Sequence, residues 1–514
     1  MNAVDEVLGS LVQRGLVDAP AILTRDRTLT YGQLEKGLSQ FGNACLAAGV
    51  NRQDRVALMI RDRPDVFHVA LGAMKIGAVS VPLSLRLAAR DLASILADSR
   101  ARLLVLDAEF LPLYREVAGQ LAAPPRVIVA DLPGTGEETM AEFVAGHSRE
   151  LESRQMDPED MLLWIYTSGT TGKPKAVVHV HRSVRSTTRY LSDVLGVAPG
   201  DRLFATSKLF FAFSFAHCVL GNLRAGSAVI LHEGWPDTAG IVEVVRRHRP
   251  TVMLSVPAFF NRLVNEGSAS DPAFGQVRHY VSAGEKLPAT LYERWLATVG
   301  KPLLDCVGAS ETLILFLGSR PDAHGPGLCG VPNPGVEVEL RDDGDNVIER
   351  ANVPGVAWVK SDSLAVQYWN DPGQSGKVFR DGWFCTGDIF TRTAEGLYSH
   401  QGRSDERLKI SSQWVSPSEI ENQALKHPEV LDAAVVGVPN PDGLTRLAIF
   451  LSGPKTEADR ERVREEVTRD MLAALSVYKC PRRFVFLDEL PRTATGKIQR
   501  YVLREQAANQ IKWT

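Results

Sequence analysis

Tyr166-Thr-Ser-Gly-Thr-Thr-Gly-Lys-Pro-Lys175 is the stretch of this 514-residue chain from which a reading can start. Hydroxyl and glycine residues run without a break through Thr167, Ser168, Gly169, Thr170, Thr171 and Gly172, and Lys173 and Lys175 follow. Glycine lets a backbone approach an anion closely and present successive N–H groups, while hydroxyls and lysines add further donors. The run leaves an apolar, strand-like segment (161–166) and enters a second, valine-rich one (176–180). A loop of that composition between two strands reads as a polyphosphate cradle. It is not a Walker loop, because Pro174 stands where Ser or Thr must follow the lysine. Taken alone, a solvated Gly/Thr-rich turn fits the same residues equally well.

The stretch has company. Ser282-Ala283-Gly284-Glu285, Gly308-Ala-Ser310-Glu311-Thr312, Gly382-Trp-Phe-Cys-Thr386-Gly387-Asp388 with Gly402-Arg403-Ser-Asp405 behind it, and Pro491-Arg-Thr-Ala-Thr-Gly496-Lys497 follow in that order. With Tyr31-Gly32-Gln33-Leu34 upstream, this series resembles the motifs of the adenylate-forming enzymes, the superfamily of acyl-CoA synthetases, adenylation domains and luciferases. Four phrases look most like benzoate-type aryl-CoA ligases: Ser207-Lys208-Leu-Phe-Phe-Ala212-Phe, Phe316-Leu-Gly-Ser-Arg320-Pro, Arg403-Ser-Asp-Glu-Arg-Leu-Lys409 and Trp414-Val-Ser-Pro-Ser-Glu-Ile-Glu421.

Bulk properties agree with an ordinary globular chain. Hydrophobic residues make up 44% and charged ones 23%, enough for a core and without the bias of a disordered chain. The length exceeds what one core supports, so two or more domains are expected. A net charge of −3 argues against a nucleic-acid surface, though a local basic pocket can still hold a polyanion. The first residues carry Asp5 and Glu6 where a secretory signal needs bases, and no apolar run approaches a membrane span, so a cytoplasmic location is expected. Six scattered cysteines include no Cys-x-x-Cys pair.

Helix and strand patterns alternate from Tyr31 onward: an amphipathic helix over 31–48, strands over 55–60 and 78–82, a helix over 64–76, and further strands at 103–107 and 127–130. That rhythm predicts parallel sheets covered by helices. Residues from about 335 to 400 are shorter in period and rich in turns. The expected fold is α/β. A large N-terminal domain (1–404) has two parallel-type sheets and a small β-barrel-like subdomain, and a small mobile α+β domain (405–514) acts as its lid.

The resemblance implies a set of roles. ATP, Mg2+ and coenzyme A would serve with a small-molecule carboxylic acid as substrate, and the acid would be activated as an acyl-adenylate before thioester formation. Thr167, Ser168, Gly169, Thr170, Thr171, Gly172 and Lys175 would hold the phosphates. Glu311 would help hold Mg2+, and Ser310, after Gly308, would lie near the α-phosphate; the plain alternative for Glu311 is a helix cap. Ser282, Ala283, Gly284 and Glu285 would line the adenine pocket, and Asp305 and Gly308 would belong to the same ATP site. Asp388, an ionised acceptor with two oxygens, would take the ribose hydroxyls beside Arg403. Lys497 would bridge carboxylate and α-phosphate as a compact point charge on a flexible stem, its alternative being an exposed lysine among Arg492, Arg500 and Arg504. Asp405 falls at the family's hinge, where a few residues absorb a backbone change. Lys409, Ser411, Ser412 and Trp414 would approach coenzyme A, with Ser412 standing where most relatives carry glycine.

The resemblance places the acyl pocket at Phe211, Ala212, Phe213, Ser214, Phe215, His217, Leu313 and Ile314. Phe213 and Ile314 stand where benzoate ligases commonly have tyrosine and histidine, and an apolar lining disfavours a hydroxylated ring that would lose its hydration without a partner. His217 reads as a wall residue or as the partner of an ortho substituent. Benzoate leads, with alicyclic or short branched acids behind it. A carrier protein could replace coenzyme A as acceptor, and a silent nucleotide-binding module is a third reading. A homodimer and a lysine acetyltransferase acting on Lys497 are the further partners considered. Gly325-Pro-Gly327-Leu-Cys-Gly330 is set aside as a dinucleotide fingerprint, because Pro332 and Pro334 stop the helix that must follow. His179 and His181 fit strand packing better than a metal pair.

Overall fold

The computed structural model describes residues 1–9, 11, 13–168, 173–404, 406, 408–410, 413–439, 445–492 and 498–510. Its first long helix, Tyr31–Ala47, begins where Thr30 and Gln33 cap each other reciprocally: the Thr30 hydroxyl accepts from the Gln33 N–H and the Gln33 side chain accepts from the Thr30 N–H. The helix buries Tyr31, Leu34, Leu38 and Phe41 and packs on Pro64–Lys75. The two helices touch backbone to backbone, since a Cβ on Gly72 would sit 2.5 Å from the Leu38 carbonyl oxygen.

Two large sheets follow from the strand–helix alternation. The eight-stranded sheet has a parallel body made of Met161–Ser168, Val79–Pro82, Arg55–Met59, Leu103–Leu106, Arg126–Val129 and Glu138–Thr139. Pro174–Val180 folds back antiparallel on Met161–Ser168, and Gln367–Tyr368 adds antiparallel beyond it as the edge. The nine-stranded sheet has a parallel body of Leu303–Gly308, His279–Ser282, Val252–Ser255, Arg202–Ala205, Ala228–Ile230 and Pro20–Leu23. Leu315–Gly318 and Val331–Pro332 extend one side antiparallel, and Thr28–Thr30 the other. Strands buried on both faces explain the unbroken apolar runs at Leu103–Leu106 and Val252–Ser255.

The turn-rich stretch becomes a five-stranded antiparallel sheet of Val336–Arg341, Gly355–Ser361, Phe379–Arg380, Trp383–Arg392 and Tyr398–Arg403. The last part of the chain is α+β: Asp432–Pro439, Thr445–Ser452 and Arg483–Phe486 form a sheet, with helices Pro417–Ala424, Glu457–Ala474 and Arg500–Gln510. Pro417 opens the first of these helices at the one turn where a missing N–H costs nothing. Among the described residues no helix is long and apolar enough to cross a membrane.

Phe260, Phe274, Tyr280 and Trp295 form an aromatic knot on one face of the larger sheet, with Trp295 fully buried and ring centroids 4.8 Å from Phe260 and 4.9 Å from Tyr280. Trp295→Ala should lower unfolding stability by about 3–5 kcal/mol through the cavity it leaves. A denaturant midpoint followed by tryptophan-independent circular dichroism reads that shift.

Candidate active site

The Gly/Thr-rich loop closes a hairpin. Thr167 pairs with Lys175 and Ser168 with Pro174, so both strands deliver their polar ends to one edge of the eight-stranded sheet. The tip itself, with Gly169, Thr170, Thr171 and Gly172, lies outside the described residues. Thr167 Oγ1 is buried without a hydrogen-bond partner among the described residues, an acceptor–donor group left for something from outside. Ala176 is buried in the strand and accepts the Trp369 N–H through its carbonyl at 2.9 Å.

Glu311 comes to the same place from the other sheet. It sits in a turn between Leu303–Gly308 and Leu315–Gly318, not at a helix start. Thr312 ties that turn: its hydroxyl accepts the Ala309 N–H at 3.1 Å and points its one O–H at the Ile314 carbonyl at 2.8 Å, with the Ala309 carbonyl at 3.0 Å beside it. Leu313 takes a left-handed φ of 61° there. Buried His179, on the lysine strand, donates Nε2–H to the Ser310 carbonyl at 2.7 Å, and burial lowers its imidazole to about 4. His181 accepts the Ala3 N–H at 3.0 Å through Nδ1. The Glu311 carboxylate accepts the Tyr368 hydroxyl at 2.6 Å, while the Lys175 ammonium lies 3.7 Å from the centre of the Tyr368 ring. Burial lowers the pKa of Lys175, and the charges of Glu311 and Asp371 oppose that shift.

A second cluster lies at the antiparallel sheet. Asp388 and Arg403 are cross-strand partners, with Arg403 Nη1 3.5 Å from Asp388 Oδ2 and also donating to the Thr386 carbonyl at 3.0 Å. His400 Nε2 lies 3.1 Å from Asp388 Oδ1. The Arg403 charge also acts on Lys175, which places the two clusters within electrostatic reach of one another.

Asp305 and Ser282 stand side by side in register on adjacent parallel strands of the nine-stranded sheet. Ser282 Oγ and Asp305 Oδ1 are both buried without a partner among the described residues, while Asp305 Oδ2 accepts the Cys329 thiol at 3.6 Å. Burial pushes the Asp305 carboxyl up to about 8. Ala283 is buried, and Gly284 takes a φ of 92° that exposes the backbone beside it. Glu285 pairs with Arg492 at 3.0 Å, which holds Arg492 against this strand end.

The expected acyl segment runs through a three-residue helix, Ala212–Ser214, into a π-helix, Phe215–Gly221, a rare form that is frequent at functional sites. Gly221 permits it: a Cβ there would meet the Thr187 carbonyl oxygen at 2.3 Å. Phe211, Ala212 and Phe213 are half-buried, Phe215 is fully buried in the main core, and Ser214 donates to the Ser207 carbonyl at 2.8 Å. Leu313 and Ile314 are buried too. His217 donates Nδ1–H to the Phe213 carbonyl at 2.8 Å, and burial lowers its imidazole to about 4. Lys208 and Asp62, both buried, pair at 3.4 Å; the Asp62 carboxylate also accepts the Leu209 N–H at 3.1 Å. This ion pair joins the loop after Arg202–Ala205 to the loop after Arg55–Met59, and so fixes the acyl segment between the two sheets.

Asp405, Ser411, Ser412 and Lys497 lie outside the described residues. Lys409 and Trp414 are register partners in the Leu408–Ile410/Gln413–Val415 hairpin. The AMP-binding enzyme family model matches residues 12–369, and that of the AMP-binding enzyme C-terminal domain matches residues 419–497. The chain belongs to the AMP-binding enzymes. A 3-hydroxybenzoate–CoA ligase of Aromatoleum sp. (strain CIB) is 48% identical to it over 98% of this chain and 97% of its own. A 3-hydroxybenzoate–CoA/4-hydroxybenzoate–CoA ligase of Thauera aromatica is 44% identical over 98% of this chain and 97% of its own. The crystal structure of an anthranilate CoA ligase in complex with anthranoyl-AMP matches with a TM-score of 0.91 at 31% identity, covering 99% of this chain and 98% of that one.

In this AMP-binding enzyme the sequence pattern does not reveal Tyr368, His400 or the Asp62–Lys208 pair, whereas His179 packs in its strand as expected. Tyr368, His400 and Asp62 belong to none of the sequence motifs, and Lys208 sits in one without its partner; Tyr368, Asp62 and Lys208 are defined by partners far away in the chain, and His400 by its neighbour Asp388 across a hairpin. Asp305 gives the site a pH signature. Its folded-state pKa of about 8 exceeds the unfolded value of about 3.9, so its contribution to stability is full below about pH 4 and is lost as pH rises toward 8. Asp305→Asn keeps the shape without the charge. The melting temperature of the variant relative to the parent should therefore rise steadily from about pH 5 to about pH 8, as read by calorimetry at a series of pH values.

Proposed function

We propose that this chain is an AMP-forming ligase that joins an aryl carboxylate to coenzyme A, with a benzoate ring bearing a 3-hydroxyl as its leading substrate. The observation that carries the reaction class is the meeting of Lys175 and Glu311 around Tyr368, beside the Thr-rich hairpin and within reach of Asp388 and Arg403. Opposite charges and unsatisfied donors gathered at one edge fit a nucleoside triphosphate with its cation. In the first step a carboxylate oxygen attacks the α-phosphorus, the bond to the β-phosphate oxygen breaks, and pyrophosphate leaves. In the second the coenzyme A thiolate attacks the acyl carbon, AMP leaves, and the thiol proton passes to solvent.

Each residue has a task in that sequence. Thr167 and the loop through Gly172 would donate to phosphate oxygens, and Lys175 would add its charge. Magnesium, when bound, supplies positive charge to the same oxygens, and Glu311 is the carboxylate suited to hold it. Asp388 would accept from the ribose, steadied by His400 and Arg403. Ser282 and Asp305 offer polar atoms, buried and free, for an adenine edge. Lys497 would neutralise charge that grows in the first transition state, where such groups act most strongly. The Arg492–Glu285 pair supports this, because Arg492, five residues before Lys497 in sequence, is held against the strand end that would face adenine. Residues 405–514 would be the lid, turning about Asp405 so that the Lys409–Trp414 hairpin brings coenzyme A in. Acetylation of Lys497 would cancel its charge and stop the first step.

The 3-hydroxyl reading rests on the names of the two relatives and on His217. With Nδ1 donating to Phe213 and the imidazole neutral at pH 7, His217 Nε2 keeps a lone pair that would serve as the polar partner of a phenolic O–H. That removes the objection to a hydroxylated ring drawn from the apolar residues around it.

Lys497→Ala should slow acid-dependent pyrophosphate release about a hundredfold or more; a loss below about threefold would defeat its role. His217→Leu should raise KM for 3-hydroxybenzoate about tenfold while leaving benzoate within about twofold, the difference one hydrogen bond makes. Thioester formation assayed with free coenzyme A across benzoate and its hydroxylated forms tests both acid and acceptor. Acyl-AMP formed without any thioester would favour a carrier protein instead.

A further inference from the structure

Lys175 and Glu311 carry opposite charges in one half-buried place, yet no ion pair joins them among the described residues. What stands between them is Tyr368. Its ring lies under the Lys175 ammonium at 3.7 Å and its hydroxyl donates to Glu311 Oε1 at 2.6 Å. We propose that Tyr368 is a positioning residue, a spacer that keeps this lysine and this carboxylate from neutralising each other and so leaves both able to serve the nucleotide and its cation. The inference rests on the proposed ATP–magnesium reading of the site.

The backbone holds Tyr368 for that task. Gln367–Tyr368 pairs with the lysine strand, Gln367 with Val178 and Tyr368 with Val177. The Ala365 N–H donates to the Glu311 carbonyl at 2.8 Å, so the same short segment is tied to the glutamate turn. Behind the ring, Phe379 packs at 5.6 Å and Ser375 Oγ accepts the Tyr368 N–H at 2.9 Å. Tyr368 is only 3% exposed. Burial and then the Glu311 charge push its phenol far above the ordinary range, so the hydroxyl keeps its proton and acts toward Glu311 as a donor.

The chemistry of the spacer follows. A direct Lys–Glu contact in a partly desolvated site would be strong and would occupy the donors and acceptors that a triphosphate needs. An aromatic face satisfies an ammonium without using a carboxylate. A phenol occupies one carboxylate oxygen and leaves the other with its charge.

The test is nucleotide binding by calorimetry, using an ATP analogue with a methylene bridge between the α- and β-phosphates, with and without magnesium chloride. Tyr368→Phe keeps the ring and loses the hydroxyl; it should raise the magnesium concentration for half-maximal binding about tenfold, as expected for a lost hydrogen bond to a charged group. Tyr368→Leu removes the spacer and should weaken magnesium-free binding about tenfold. Adding Glu311→Gln to Tyr368→Leu removes the competing charge and should restore magnesium-free binding to within about threefold of the parent. Parental binding in both single variants overturns the spacer, as does a double variant that stays as weak as Tyr368→Leu. If Tyr368→Leu fails to fold, an unchanged magnesium dependence in Tyr368→Phe alone overturns it. A parent that binds no analogue overturns the functional reading itself, and this inference with it.

Discussion

Pro174–Val180 is gripped along both sides, by Met161–Ser168 and by Gln367–Tyr368, and the architecture of the site depends on that double grip. A strand with two hydrogen-bonded neighbours cannot slip by a residue without turning every side chain to the wrong face. Its alternation therefore fixes at once where Lys175 points, where Val177 and Val178 bury, and where His179 reaches the Ser310 carbonyl. The edge segment that completes the grip carries an aromatic residue into the charged cluster. One ladder of backbone bonds thus sets the spacing of groups drawn from three separate parts of the sequence.

Electrostatics in this protein are arranged by burial more than by pairing on the surface. Asp62 and Lys208 illustrate the cost: burial raises the pKa of the first and lowers that of the second, opposed by their mutual attraction. The lysine recovers part of its lost hydration from the carbonyls of His232, Glu233 and Gly234. Such a pair is weak evidence for stability as such. Its location argues for placement, because it ties the Leu209 backbone to the opposite sheet just before the segment that would face the acid.

Much of the framework could be read from one-dimensional pattern. Helices over 31–47 and 64–75 and strands at 55–59, 79–82 and 103–106 fall where periodicity and apolar runs put them. The glycine-rich and Thr-Gly-Asp motifs were legible because their chemistry needs particular neighbours in sequence. Tyr368 was not, since a tyrosine among turns has no local mark of its purpose; only the pairing with a strand nearly two hundred residues earlier gives it one. His217 was visible as a residue, yet its tautomer depends on a carbonyl one helical turn away within a π-helix that no periodicity foretells. The register of Asp388 opposite Arg403 likewise needs the hairpin, not the motif.

Leu313 leaves a different mark on the molecule. A branched side chain at a φ of 61° sits where L-residues rarely go, and glycine would rest there without protest. Retaining leucine means that part of the folding free energy is held as tension in the loop next to Glu311. A loop under tension has few alternative shapes of equal energy, so it returns to the same one after each disturbance. The enzyme gives up a little robustness at this corner and gains repeatability where charges must meet.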